Sequence, residues 1–135
     1  MHYKSLISIL TLSCSSICVA ASNPIQVQVF NSQSGQPSAK LNVVLEAQQN
    51  SQWVKIGEGQ TDAQGQINSL YPKEKSNLDK GIYRITLQTG DWFKTQNQRS
   101  FYPEIPVVFV IDGSTDHYNL PVVISPYGYS TFKGN

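Results

Sequence analysis

From Ile25 onward the apolar residues recur at every second position in short runs, each closed by a turn signal a few residues later. Ile25, Val27 and Val29 alternate with Gln26 and Gln28, and Leu41, Val43, Leu45 and Ala47 make a second such series. A period of two sends successive side chains to opposite faces of an extended strand, and runs this short are too brief for an amphipathic helix. Further strands are expected over residues 53–58, 66–70, 82–87, 105–111, 117–125 and 129–132. The run Ile105 to Ile111 is apolar and rich in β-branched residues, and reads as a central strand. Ser34-Gly35-Gln36-Pro37 and Asp62-Ala63-Gln64-Gly65 read as turns, with Gly65 suited to a positive φ. Residues 71–80 form the longest loop. Residues 90–98 lack strand character, and Asp91 is placed to cap a short helix carrying Trp92 and Phe93 onto the sheets. About eight strands and one short helix at this spacing predict a single all-β sandwich domain.

Residues 1–21 stand apart from that pattern. Met1-His2-Tyr3-Lys4 is a short basic start, Leu6 to Ala21 is apolar with interspersed serines, and Val19-Ala20-Ala21 ends in small residues. These are the parts of a secretory signal, so residues 1–21 are read as a cleaved signal peptide and residues 22–135 as the domain, periplasmic or secreted. The apolar run is shorter than the roughly 20 residues that span a bilayer. An uncleaved anchor and lipidation at Cys14 are the other readings of this segment. Cleavage removes Lys4, His2 and both cysteines, Cys14 and Cys18, leaving nine Lys and Arg against nine Asp and Glu. The mature chain then has no disulfide, and its only histidine is His117. Balanced charge without a basic stripe argues against nucleic acid as a partner.

Residue types offer little catalysis. A Ser-His-Asp relay has only His117 to centre on, and no glycine-flanked nucleophile elbow is present. Zinc needs several His, Cys or carboxylate ligands close together, and the acids are scattered in turns, so neither metal nor cofactor is expected. Trp53, Trp92, Phe101 and Tyr102 are read as packing residues, and Asp62 and Asp91 as turn and cap residues.

The C-terminal end is more specific. His117-Tyr118-Asn119-Leu120-Pro121, then Ser125-Pro126-Tyr127-Gly128-Tyr129-Ser130-Thr131 and Phe132-Lys133-Gly134-Asn135, closely resembles the terminal signature of the transthyretin/5-hydroxyisourate hydrolase family. Phe101-Tyr102-Pro103-Glu104 with Val107-Val108-Phe109 is similar to the family's stretch before its sixth strand. Gly35-Gln36-Pro37-Ser38, Leu45-Glu46 and Gly59-Gln60-Thr61-Asp62 follow in the family's order, so the resemblance runs from Ile25 to Asn135. It implies a transthyretin-like (prealbumin-like) eight-stranded sandwich with one short helix. It also implies edge-to-edge dimers and a homotetramer, a dimer of dimers around a central channel. In the family's hydrolases that channel opens the ring of 5-hydroxyisourate in purine breakdown, without metal or cofactor.

Such chemistry needs a group that orients and deprotonates water and a cation for the developing oxyanion. The resemblance assigns these to a first-strand histidine, an arginine after the G-x-T turn, the second histidine of His-Tyr-His, and a terminal Tyr-Arg-Gly-Ser. This sequence places Gln28, Gln66 and Asn119 at the first three, and Phe132-Lys133-Gly134-Asn135 at the last. Amides orient water but accept no proton near neutrality, and an ammonium lacks arginine's bidentate fork. Two functions follow. In the first, Gln28, Gln66, Asn119, Ser130, Phe132 and Lys133 line a channel that binds a small planar or polar ligand, or serve a protein-binding module, without catalysis. In the second, a weak or altered cyclic amide hydrolase works through His117 and Lys133, with His117 sharing strand parity with Asn119.

Overall fold

A computed structural model describes residues 23–75 and 77–135, so the expected signal segment lies outside the described residues. The elements are β1 (Ile25–Asn31), β2 (Gln36–Pro37), β3 (Asn42–Gln49), β4 (Gln52–Gln60), β5 (Gln66–Ile67), β6 (Gly81–Leu87), α1 (Thr89–Thr95), β7 (Ile105–Ile111), β8 (Tyr118–Ser125) and β9 (Gly128–Thr131). One sheet has the order β2-β1-β8-β9, with β5 also pairing to β1, and the other has the order β4-β3-β6-β7. The sandwich expected from the alternation is present. Among the described residues, β1 and β8 alone pair in parallel, and the remaining pairs are antiparallel.

The alternation that marked the strands also builds the core. Ile25, Val27 and Val29 of β1, Val43 and Leu45 of β3, Ile85 and Leu87 of β6, and Leu120, Val122 and Ile124 of β8 all turn between the sheets and are buried. Each such side chain contributes about 1.5–3 kcal/mol relative to exposure. Asn50 and Ser51 join β3 to β4 with φ of 50° and 62°, a two-residue turn whose twist suits a hairpin.

Several local expectations change. β7 is an edge strand rather than a central one. Pro106 has no N–H to give a second neighbour, and Val108 and Val110 face outward at 58% and 62% exposure. An apolar β-branched run therefore marks a strand but not its place in the sheet. The ladder expected over residues 66–70 lasts only for Gln66 and Ile67. Leu70 then turns inward over Gly57, where a Cβ would lie 2.0 Å from the Leu70 carbonyl oxygen. Gln36 and Pro37, expected as turn, also bridge back to β1.

Helix α1 carries Trp92 and Phe93 into the core, as expected, but its N-cap position is Gln88, without a side-chain bond. Asp91 lies within the first turn, where its charge favours the helix dipole. The Trp92 indole N–H donates to the Ala39 carbonyl at 2.8 Å, which fixes the helix against the β2–β3 connection. Phe101 is 70% exposed and only edges onto Tyr102, so it is not a core residue. Trp53 instead lies beneath the Arg84 guanidinium, 4.4 Å from ring centre to Cζ.

The loop after β5 is held by two buried phenols. The Tyr71 hydroxyl donates to the Asn77 carbonyl and accepts from the Asp79 N–H, while Tyr83 donates to the Asp79 carbonyl at 2.8 Å. Burial is the main cause of the raised Tyr83 pKa, which keeps this phenol a donor.

Candidate functional site

On β1, with Ile25, Val27 and Val29 committed to the core, Gln26, Gln28 and Phe30 must face the other way. β8 obeys the same rule: Tyr118, Leu120, Val122 and Ile124 turn inward, so Asn119, Pro121 and Val123 turn outward. The strand pairings then set these residues side by side. Gln26 is level with Asn119, Gln28 with Pro121, and Phe30 with Val123. On the other side of β1, Gln66 is the partner of Gln28 and Pro37 of Phe30. Ser130 of β9 is level with Val123. Phe132, one residue past β9, has the parity of Ser130 and is 61% exposed.

Gln28, Gln66, Asn119 and Ser130 thus share one sheet face, while Phe132, beyond the strand, lines a groove against β7 that Asn119 also borders. Residues not singled out in the sequence, Gln26, Phe30, Pro121 and Val123, complete that face. The parity of Gln26 was visible in the sequence. That of Phe30 and Val123 was visible too, as apolar residues on the outward side of strands whose inward side was already filled.

The turn that delivers Gln66 depends on Asp62 and Gly65. The Asp62 carboxylate accepts from the backbone N–H groups of Gln64 and Gln66, both at 2.9 Å. Gly65 has a φ of +73°, and its carbonyl accepts from the Val29 N–H at 2.8 Å. A Cβ at Gly65 would lie 2.4 Å from the Val29 carbonyl oxygen, so the close approach to β1 requires glycine. The reading of Asp62 as a turn residue agrees with this geometry.

The C-terminal tail continues beyond β9. The Gly134 N–H donates to the Asn119 carbonyl at 2.9 Å, and the Thr131 hydroxyl donates to the Pro121 carbonyl at 2.9 Å. A Cβ on Gly134 would meet the Asn119 side-chain nitrogen at 3.0 Å, so tail and amide are in contact. Lys133 shares a groove with Asn119, at one end of the amide row. Its ammonium lies 5.6 Å from the centre of the inward-facing Tyr118 ring. There it borders a groove of about 360 Å³ between β7 and the tail, lined in part by Val107, Phe109, Leu120 and Phe132. Asp112 stands at the same groove and accepts from the Tyr118 hydroxyl at 3.0 Å and the Ser114 N–H at 2.9 Å. Those bonds, chiefly from Ser114, hold its carboxyl well below the usual carboxylate range.

His117 precedes β8 rather than opening it. Its Nδ1 lies 2.8 Å from Asp116, and this contact is the main cause of the lowered Asp116 pKa. Among the described residues no group of three His, Cys, Asp or Glu side chains could hold a metal ion, and no helix is long and apolar enough to cross a membrane.

Residues 25–134 match the HIUase/Transthyretin family. The chain is 37% identical over 116 residues to the 5-hydroxyisourate hydrolase of Salmonella typhi, covering 86% of this chain and 84% of that protein. It is 29% identical over 116 residues to the 5-hydroxyisourate hydrolase of Mus musculus, covering 84% and 97%. In structure it is similar to sea bream transthyretin, solved in complex with thyroxine. That likeness has a TM-score of 0.76 at 26% identity and covers 82% of this chain and 94% of that one.

Proposed function

The chain belongs to the HIUase/Transthyretin family, and from that premise we propose that it is an exported, non-catalytic member that binds a small ligand on the outward face of β5, β1, β8 and β9. One observation carries this reading. Gln28, Gln66 and Asn119 sit on that face at the positions where the family resemblance calls for His, Arg and His. Primary amides donate and accept hydrogen bonds but exchange no proton near neutrality. Losing a general base and a fixed cation each commonly costs ~10²–10⁴ in rate. In the proposed assembly, a homotetramer, two such faces enclose the ligand.

The test is spectrophotometric decay of freshly generated 5-hydroxyisourate with the unmodified protein. The expected result is little or no acceleration over the spontaneous reaction, and turnover like that of an active hydrolase overturns the binding reading.

The second reading is a weak or altered hydrolase acting on 5-hydroxyisourate or a related lactam. It is favoured by the name carried by the Salmonella typhi protein, and by the contact of His117 Nδ1 with Asp116, which suits the ring to proton transfer at Nε2. Under this reading, His117→Ala or Lys133→Ala abolishes whatever acceleration is found.

A further inference from the structure

The two outer faces of the sandwich differ in charge. On the face of β3, β4 and β6, the charged groups satisfy one another: the Arg84 guanidinium lies 2.6 Å from Glu46 and over Trp53, and Lys55 pairs with Glu58. The opposite face has no charged residue at any of its outward positions on β1, β5, β8 and β9. Lys133, in the tail, holds its ammonium over the Tyr118 ring, in a groove that Asn119 also lines at the edge of this face. Gln26, Gln28, Gln66 and Asn119 form two adjoining rows of primary amides. Among the described residues none of these four side chains is hydrogen-bonded within the chain; Asn119 and Gln66 form hydrogen bonds through their backbone groups alone, and the Asn119 amide packs against Gly134. The row beside them is apolar, with Phe30 level with Val123.

We infer that this face selects an uncharged, planar ligand bearing a carboxamide or ring-amide edge, and discriminates against the corresponding anion. The inference rests on the binding reading above and names its ligand class. A primary amide presents two N–H donors and one carbonyl acceptor, so it pairs with another amide edge in both directions. Enclosing a carboxylate among Gln26, Gln28 and Gln66 removes it from water with no cation at any outward strand position to compensate, a cost larger than that of a neutral group. The apolar row takes the flat body of the ligand.

The experiment is calorimetric titration of the exported protein with 2-naphthamide and 2-naphthoate, which share a body and differ in charge. The expected result is amide binding tighter by about tenfold or more, the effect of ~1.4 kcal/mol or more of uncompensated desolvation. The amide affinity is expected to be unchanged up to about 0.5 M salt, since no charge pair is there to screen. Asn119→Ala is expected to weaken the amide, and Gln28→Lys to reverse the preference towards the naphthoate. Equal or tighter binding of the naphthoate by the unmodified protein, with Asn119→Ala still weakening it, overturns the selectivity and leaves the ligand face standing. Absence of binding by both probes, or binding indifferent to Asn119→Ala and Gln28→Lys, overturns the ligand face itself and the selectivity with it.

Discussion

Gln28 on β1 and Gln66 on β5 are direct cross-strand partners, so two positions 38 residues apart in the sequence present their amides side by side. Pro121 lies level with Gln28 on the other side, and Asn119 stands one outward position along β8.

If the proposed non-catalytic reading holds, that adjacency makes the loss a collective one. Gln28→His, Gln66→Arg and Asn119→His introduced together are expected to raise 5-hydroxyisourate hydrolysis well above that of the unmodified protein. Each single change is expected to do little, because groups that act as a unit are far from additive. Initial rates of the three single variants and the triple variant, at equal protein concentration, check this.

Gly65 couples stability to the site. Gly65→Ala forces a side chain into a φ of +73° and against the Val29 carbonyl. The expected loss is about 1–3 kcal/mol, or at least several degrees in Tm for a domain of this size. Because the turn delivers Gln66 to its place beside Gln28, 2-naphthamide affinity is expected to fall as well. Thermal melts and titration of the variant read the two effects separately.

Asp112 is expected to make the loop before β8 acid-sensitive. Its pKa is lowered in the folded state by bonds from Ser114 and the Tyr118 hydroxyl. The stabilisation is therefore fully present above the unfolded value of about 3.9 and is lost as pH falls below it towards the folded value. Asp112→Ala is expected to lower the urea midpoint at neutral pH, and the gap from the unmodified protein is expected to narrow below about pH 4. The exposure of this carboxylate keeps the effect small. A gap that widens in acid refutes the assignment.

The proposed pairing of amide faces has a solution readout. Sedimentation equilibrium is expected to give four times the chain mass. Val123→Glu places a charge in the apolar row level with Phe30 and is expected to halve that mass. A monodisperse monomer at micromolar concentration removes the enclosed site.

Export has its own test. N-terminal sequencing of protein recovered from the periplasm or medium is expected to start near Ala21 or Ser22, after the small residues that close the apolar segment. Recovery of chains that retain Met1 overturns the cleaved-signal reading.

Strand parity was legible in the sequence because the period of two is written residue by residue. Once Val27, Val29, Leu120 and Val122 are inside, Gln28, Phe30, Asn119 and Val123 have nowhere to point but outward. Gly65 was legible for a similarly local reason, since only a turn that needs positive φ explains a glycine at that place between two strands. The placement of Trp92 and Phe93 against the core was equally foreseeable, although the cap was not: Gln88 occupies it without a side-chain bond, and Asp91 contributes only its charge.

What the sequence determined by itself, then, is the side of each strand on which a residue lies, because side-chain direction is a local property of extended backbone. Strand order is not local. Ile105–Ile111 has the same β-branched character at an edge as it would have in the middle of a sheet, and only its single pairing with β6 makes it an edge. The meeting of Gln28 with Gln66 and of Gln26 with Asn119 likewise depends on the register of an antiparallel bridge and a parallel ladder. Lys133 makes the same point: its charge is plain in the sequence, yet only the fold of the tail carries it over Tyr118, into a groove it shares with Asn119. Those placements are fixed by long-range hydrogen bonds and by burial of a shared core, so the tertiary structure alone decided which residues form the uncharged face.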